Sequence, residues 1–437
     1  MAGGGAGERK IRVGILGAGI AGTSLAIGLL QNPCLDVRVF ESYPGIGVRG
    51  SGLALHGNAI RAMDTISPLI KAAYFRKSHY MAGEESVEMA TQFILGAGPD
   101  AGTLVAELGR ARGRRTVHRA HFIEGLLEDT PGLKARVGFG MRAVEISQNQ
   151  DQDGGGEGEG EVQVKFADGT TAAFDVVLGA EGVKSLSRRY VLGPGHPAVE
   201  PVNHDSWRAI YRHVPMAEAA AALPRASIER VRCFCTPLGY VNGIPVDLGR
   251  TYTVGCYLRD DKRTAAGGWG LGEAFDKDEW SEFSEDTRAL VELLAKNPSE
   301  DWKIQDHDPA PTYVRGGVAM LGDAAHATAP HAGNGAAQAL EDAAVLTGIF
   351  ALVTSASQIE AALGAYDAVR RPRSQEVVQI TRRFGRLYTR DVEDIDVEDM
   401  RRQMREGGAF TNGVDMEAQV RDGVEAFLGR LGGGVGK

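Results

Sequence analysis

Ile11-Arg-Val-Gly-Ile-Leu-Gly17-Ala-Gly19-Ile-Ala-Gly22-Thr-Ser-Leu-Ala-Ile-Gly-Leu-Leu30 is the stretch that decides the fold of this chain. Ile11 to Leu16 is a short apolar run that reads as a buried strand, and Ala21 to Gln31 follows as a helix. Asp36-Val-Arg-Val-Phe-Glu41 then reads as a second strand. Together they make a βαβ unit, which implies a parallel sheet with a right-handed crossover. At the strand-to-helix turn, Gly17 permits the tight bend, Gly19 lets a pyrophosphate approach the backbone, and Gly22 lets the helix pack on the strand. The helix start adds free N–H groups and partial positive charge. Glu41, at the end of the next strand, is placed to accept hydrogen bonds from a ribose diol. The unit predicts dinucleotide binding but does not separate NAD from FAD.

The rest of the composition agrees with a globular protein. At 437 residues there is room for two or three domains, and 43% hydrophobic with 24% charged residues argues against wholesale disorder. With 48 Lys+Arg against 57 Asp+Glu, the net charge of −9 argues against nucleic acid as a partner. Cys34, Cys233, Cys235 and Cys256 are too few for a disulfide framework. Cys233 and Cys235 also lack the usual metal-binding separation, so the four read as buried free thiols and no metal is expected. Val13 to Leu30 runs without a charge, but its Gly and hydroxyl content argues against a membrane span. A cytoplasmic protein with no membrane partner is the expectation.

Further along, residues 1–10 read as a disordered tail. The low-complexity run 149–160 reads as a flexible hairpin loop between the alternating segments Ala143 to Ser147 and Glu161 to Phe166. Strands are expected at Ala209 to Val214, Val231 to Cys235, Thr251 to Leu258 and Val318 to Leu321, and a long buried helix at Gly335 to Val353. Ile380, Phe384 and Leu387 keep helical spacing in the charge-rich C-terminal segment.

A second segment narrows the cofactor: Val318-Ala-Met-Leu-Gly-Asp323-Ala-Ala-His326-Ala-Thr-Ala-Pro330-His-Ala-Gly333-Asn-Gly335-Ala336. Asp323, at a strand end, suits a sugar-like hydroxyl, and the Gly333–Gly335 turn aims backbone N–H groups and a helix start at something anionic. The two segments together resemble the class A flavoprotein monooxygenases, the aromatic hydroxylases typified by para-hydroxybenzoate hydroxylase. The salicylate-hydroxylase-like enzymes of bacteria and fungi are the nearer likeness. The resemblance covers most of residues 11–375. It implies an α/β fold: a Rossmann-like FAD-binding domain (11–75, 105–190 and 310–375), an inserted mixed β-sheet substrate domain (76–104 and 191–309), and a helical C-terminal segment (376–437).

It also implies roles. Asp323 would hold the FAD ribityl chain, and Gly335 with Ala336 would face the flavin pyrimidine. Ala54, in Gly50-Ser-Gly-Leu-Ala54-Leu-His-Gly57-Asn58, would lie at the cofactor; Gly57 stands where the family has Pro. Arg119 matches an arginine that contacts FAD. The segment Asp175 to Arg188 resembles one that serves FAD and the transient NADH or NADPH, with Glu181 in place of the family's Asp.

The implied reaction is hydroxylation of a small phenolic acid: NAD(P)H reduces FAD, and reduced flavin and dioxygen form a flavin hydroperoxide that transfers one oxygen to the ring. On the substrate side, Arg208 in Ser206-Trp-Arg208-Ala resembles an arginine that holds a phenolate or carboxylate. Tyr240 is the second catalytic candidate, standing in for a tyrosine that some dearomatising relatives carry where this chain has Ile244. Alternatives are epoxidation or dearomatisation of a secondary metabolite, a flavin-binding protein without catalysis, and a plain dehydrogenase. A homodimer is left open. Arg110, Arg112, Arg114 and Arg115 read as a solvated face, His326 as a buried, satisfied histidine, and Glu341-Asp342 as structural.

Overall fold

The computed structural model describes residues 9–47, 52–80, 87–112, 114–148, 160–262, 277–296, 300–390 and 395–432. The expected tail and the 149–160 loop fall almost wholly outside them. The loop's flanks pair as read: Ala143–Gln148 lies antiparallel to Val162–Phe166, with Val162 opposite Gln148.

Ile11–Leu16, the helix Ile20–Leu29 and Leu35–Glu41 form the βαβ unit. They sit in a six-stranded sheet ordered Val314–Arg315, Val318–Met320, Val176–Gly179, Ile11–Leu16, Leu35–Glu41, Val137–Phe139. All neighbours are parallel except the first pair. A sheet covered on both faces asks for continuous apolar strands, and Val176–Gly179 is buried at every residue. The helix Ile20–Leu29 is likewise buried along its whole length. It packs on the helix Gly335–Phe350, where Gly28 approaches Thr347 too closely for any side chain.

A second, seven-stranded mixed sheet runs Glu300–Lys303, Trp207–Pro215, Thr251–Arg259, Gly239–Val246, Arg232–Thr236, Glu88–Leu95, Leu104–Arg112. One face carries Trp207, Ala209, Tyr211, Tyr240 and Tyr257 toward the cofactor unit and the C-terminal helices. The other packs Ile210, Val254, Cys256 and Leu258 against the helix Glu285–Ala295. Two expected boundaries move. Leu104–Arg112 belongs to this sheet, so residues past 104 stay with the substrate layer. The helix Ile359–Tyr388 runs unbroken through position 375, carrying Pro372 inside it, so no boundary falls there.

A buried polar network ties the helices together. Arg370 donates from Nη1 to Glu341 Oε2 and from Nε to Asp342 Oδ1, each at 2.8 Å, and Arg373 Nε reaches Glu341 Oε2 at 2.8 Å. Asp342 Oδ2 accepts the Gly322 N–H at 2.8 Å and lies 2.6 Å from His326 Nε2. Burial alone would raise the Asp342 carboxyl, but His326, Arg370 and these hydrogen bonds outweigh it and hold it at about 2. His326 and the Glu341-Asp342 pair thus have the structural surroundings expected of them. Among the described residues, no helix is long and apolar enough to cross a membrane.

Candidate active site

The strand Ile11–Leu16 ends in Gly17, whose φ of +99° suits glycine and whose N–H donates to Phe40 O at 2.7 Å. Gly22 presses on the Gly17 carbonyl, leaving no room for a Cβ, which is the close helix–strand packing its spacing predicts. Gly19 caps the following helix with no side-chain acceptor, so the first N–H groups of that helix have only backbone or ligand to satisfy them. Glu41, at the end of its strand, accepts the Ala18 N–H at 2.9 Å through Oε2 and the Tyr43 N–H at 2.9 Å through Oε1. Its carboxylate is therefore fixed at the lip of the glycine turn.

From this lip a cavity of about 360 Å³ runs between the two sheets. Gly19, Ala54, Arg119, Asp323, Gly335 and Ala336, all singled out in the sequence, line it. Arg119 opens the helix Arg119–Asp129, is exposed into this space, and comes beside Gly19. Asp323 follows Gly322, whose φ of +58° turns the chain out of the sheet, and its carboxylate is open to the cavity near Gly335. The helix Gly335–Phe350 starts without a side-chain cap because Asn334 is engaged elsewhere, accepting from Asn58 Nδ2 at 3.1 Å and Gln338 Nε2 at 3.0 Å. Two uncapped helix starts, one carboxylate at each end and a free guanidinium fit an elongated, pyrophosphate-bearing dinucleotide with sugar hydroxyls at two points, as FAD has.

Glu181 does not face this space. Its part-buried carboxylate is folded back, accepting the Ser187 N–H at 3.0 Å and the Ser187 hydroxyl at 2.7 Å. Ala180 and Gly182, on either side, are what the cavity meets. Gly17 and Gly22 shape the turn from behind.

The other end of the cavity is the aromatic face of the large sheet. Tyr240 stacks on Tyr257, with ring centroids 4.3 Å apart and planes 9° apart. Tyr211 donates its hydroxyl to Tyr257 at 2.5 Å and stacks on Trp302 at 4.6 Å. The Tyr240 hydroxyl shares a 3.1 Å hydrogen bond with His331 Nδ1, and the Tyr388 hydroxyl donates to His331 O at 2.7 Å. Sequence reading singled out Tyr240 here but missed Tyr211, Tyr257 and His331. The first two share the alternation of their strands and were legible in it; His331 stood inside the quoted loop without a role.

Arg208 lies on the opposite face. Alternation along Trp207–Pro215 gives Trp207, Ala209 and Tyr211 to the cavity side, while Arg208 sits across from Leu258 among the residues that meet the helix layer. Its buried side chain is not part of the cavity wall. The substrate contact expected of it has no geometry here, because strand phase turns it away.

Three buried histidines are held neutral, His56 and His331 on the cavity wall and His307 beside Val183. Burial pushes His56, His307 and His331 down to about 3 from an ordinary 6.5, helped by the nearby charges of Arg114, Arg188 and Arg259 respectively. Their folded values lie below the unfolded one, so on acidification the unfolded chain takes up protons first. Their contribution is fully present above pH 6.5 and is lost as pH falls toward 3. Stability should therefore fall by up to about 4 kcal/mol per pH unit across that window, the sum for three protons. Urea unfolding from pH 7 to pH 4.5 checks this; a midpoint that does not move would refute it.

Comparison with known proteins gives a consistent picture. The family model described as FAD binding domain matches residues 10–381. The chain is 36% identical over 431 residues to 6-methylsalicylate 1-monooxygenase of Aspergillus terreus, covering 96% of this chain and 93% of the relative. It is 32% identical over 392 residues to a salicylate hydroxylase of Pseudomonas putida, covering 86% of this chain and 85% of the relative. A solved salicylate hydroxylase substrate complex superposes with a TM-score of 0.77 at 28% identity, covering 95% of this chain and 98% of that one.

Proposed function

The chain belongs to the FAD-binding-domain family of class A flavoprotein monooxygenases, and on that premise we propose that its cavity hydroxylates a small phenolic acid of the salicylate type. It is an FAD-dependent monooxygenase with NADH or NADPH as reductant. The observation that carries the substrate reading is the continuity of one cavity from the dinucleotide cradle to a wall of stacked tyrosines. Such a wall fits a flat aromatic ring and keeps water out.

The residues divide the work. The N–H groups after Gly19, with Arg119, hold the pyrophosphate, and Glu41 takes the ribose hydroxyls. Gly17 and Gly22 keep the turn tight, Ala54 forms part of the wall, and Asp323 binds a hydroxyl of the ribityl chain. The uncapped helix start at Gly335 and Ala336 would favour negative charge on a bound flavin. When bound, FAD supplies the reductive activation of dioxygen and the transfer of one oxygen atom. Tyr240 and His331 offer a hydrogen-bonded polar pair on that wall, able to orient a phenolic hydroxyl. Burial holds His331 neutral, so it can share this hydrogen bond without adding charge to the wall.

The test is NADH and NADPH oxidation by the FAD-loaded protein across hydroxybenzoates and simple phenols, with mass analysis of products. A phenolic acid that stimulates oxidation and yields a product with a new phenolic hydroxyl is the expected result. An added oxygen without a new hydroxyl would replace hydroxylation by epoxidation or dearomatisation. Oxidation that no aromatic compound stimulates would refute the reading.

A further inference from the structure

We propose that Arg114 is the carboxylate anchor of the substrate chamber, a role that makes the enzyme select aromatic acids over neutral phenols; the proposal rests on the phenolic-acid reading above. Arg114 precedes the strand Arg115–His118 and is 3% exposed, yet it lines the cavity at the sheet end, near Leu108 and Cys233. In the sequence it is hidden in an arginine-rich run that reads as a solvated face.

Its surroundings are unusual for a buried guanidinium. Arg370 is forked onto two carboxylates, and Arg188 donates to four backbone carbonyls, those of Ala198, Ala324, Ala325 and Asp308. Among the described residues Arg114 has one weak contact, Nη1 to Leu108 O at 3.4 Å, while Nε and Nη2 have no partner. Among the described residues no carboxylate lies within ion-pairing distance of it. The titratable groups whose charges it feels are the Tyr74 hydroxyl, the Cys233 thiol and the His56 imidazole. Burial pushes the Tyr74 hydroxyl up and the Cys233 thiol up to about 12, and holds His56 neutral, so none supplies a negative charge. Burial lowers Arg114 itself to about 10, which leaves it charged at neutral pH.

A buried cation without a counter-ion is costly, and proteins keep one where a ligand supplies the missing charge. The two unpartnered nitrogens belong to a planar fork, and such a fork matches the two oxygens of a carboxylate. With the carboxylate held there, the ring would lie along the tyrosine wall, and the phenolic hydroxyl is left to Tyr240 and His331. Charge selection and hydroxyl orientation are thus assigned to separate residues.

The experiment compares salicylate with its neutral isostere 2-hydroxybenzamide, titrated against the flavin absorbance of the FAD-loaded protein. Wild type should prefer the acid. Arg114→Gln should lose affinity for the acid by about 30-fold or more while its affinity for the amide changes far less, and Arg114→Lys should fall between. Equal affinity of wild type for acid and amide would overturn the proposal. So would a parallel loss of both ligands, or of FAD itself, in Arg114→Gln. If that variant fails to fold, Arg114→Lys carries the test: a preference for the acid unchanged from wild type would overturn the proposal. Hydroxylation of neutral phenols with no preference for acids would remove Arg114 from this role and leave the hydroxylase reading standing. Selective binding of the acid without any oxygenated product would do the reverse.

Discussion

Arg370→Met should cost about 3–5 kcal/mol of folding stability, the usual penalty for removing one partner of a buried ion pair. The guanidinium serves two adjacent carboxylates, Glu341 and Asp342, and all three side chains are shielded from water. Methionine fills the volume but leaves both acids without their main counter-charge. Arg373 still reaches Glu341, and His326 still reaches Asp342, which is why the loss should stop short of complete unfolding. Urea denaturation measures it, with Glu341→Gln added in the same background as a control. Neutralising one stranded acid should recover part of the loss. A single-variant penalty below about 1 kcal/mol would show that the network is worth no more than a surface pair. FAD affinity should fall as well, because Asp342 holds the Gly322 N–H and Asp323 is the next residue.

Gly17→Ala should weaken FAD binding by about 100-fold or more. Two costs add. The residue sits at φ +99°, where an L-side chain is strained, and its Cβ would be driven into the Ala180 carbonyl oxygen. Either the turn opens or the strands Ile11–Leu16 and Val176–Gly179 shift apart, and both displace the N–H groups after Gly19. Flavin content of the purified protein and titration of the apoprotein with FAD measure the effect. Gly45→Ala is the matched control, since no atom lies near its would-be Cβ. A Gly17→Ala protein that purifies with full flavin would show that the turn adjusts freely.

The parts of this molecule legible in its sequence are those whose physics is local. A strand, a glycine turn, a helix and a terminal acid are contiguous, so residues 11–41 could be read directly, and so could 318–336. Strand phase is different. Whether Arg208 or Trp207 faces the cavity depends on which side of the large sheet meets the cofactor unit, and that is fixed by packing between distant segments. Arg114 was concealed for a related reason: five arginines in ten residues look solvated until the fold brings Leu108 and Cys233 around one of them. Residues 105–112 were assigned to the neighbouring unit, while their pairing with Glu88–Leu95 is plain only in three dimensions. Glu181 shows the limit of position alone, since its carboxylate found a nearer donor in Ser187.

Asn412 accepts or shares hydrogen bonds with His56 Nδ1 at 2.6 Å and Asn334 Nδ2 at 3.0 Å, while its carbonyl and that of Thr411 receive Arg61 and Asn58. The cradle that begins at Gly17 is thus braced by a residue that the ribosome adds 395 positions later. At translation rates of about 5–20 residues per second, that interval is about 20–80 seconds. For most of it the nascent nucleotide site has its glycine turn but not Asp323, and until its end it lacks the latch at 411–412. Flavin capture should therefore be an event of the nearly finished chain, because the bracing contacts of the site arrive last.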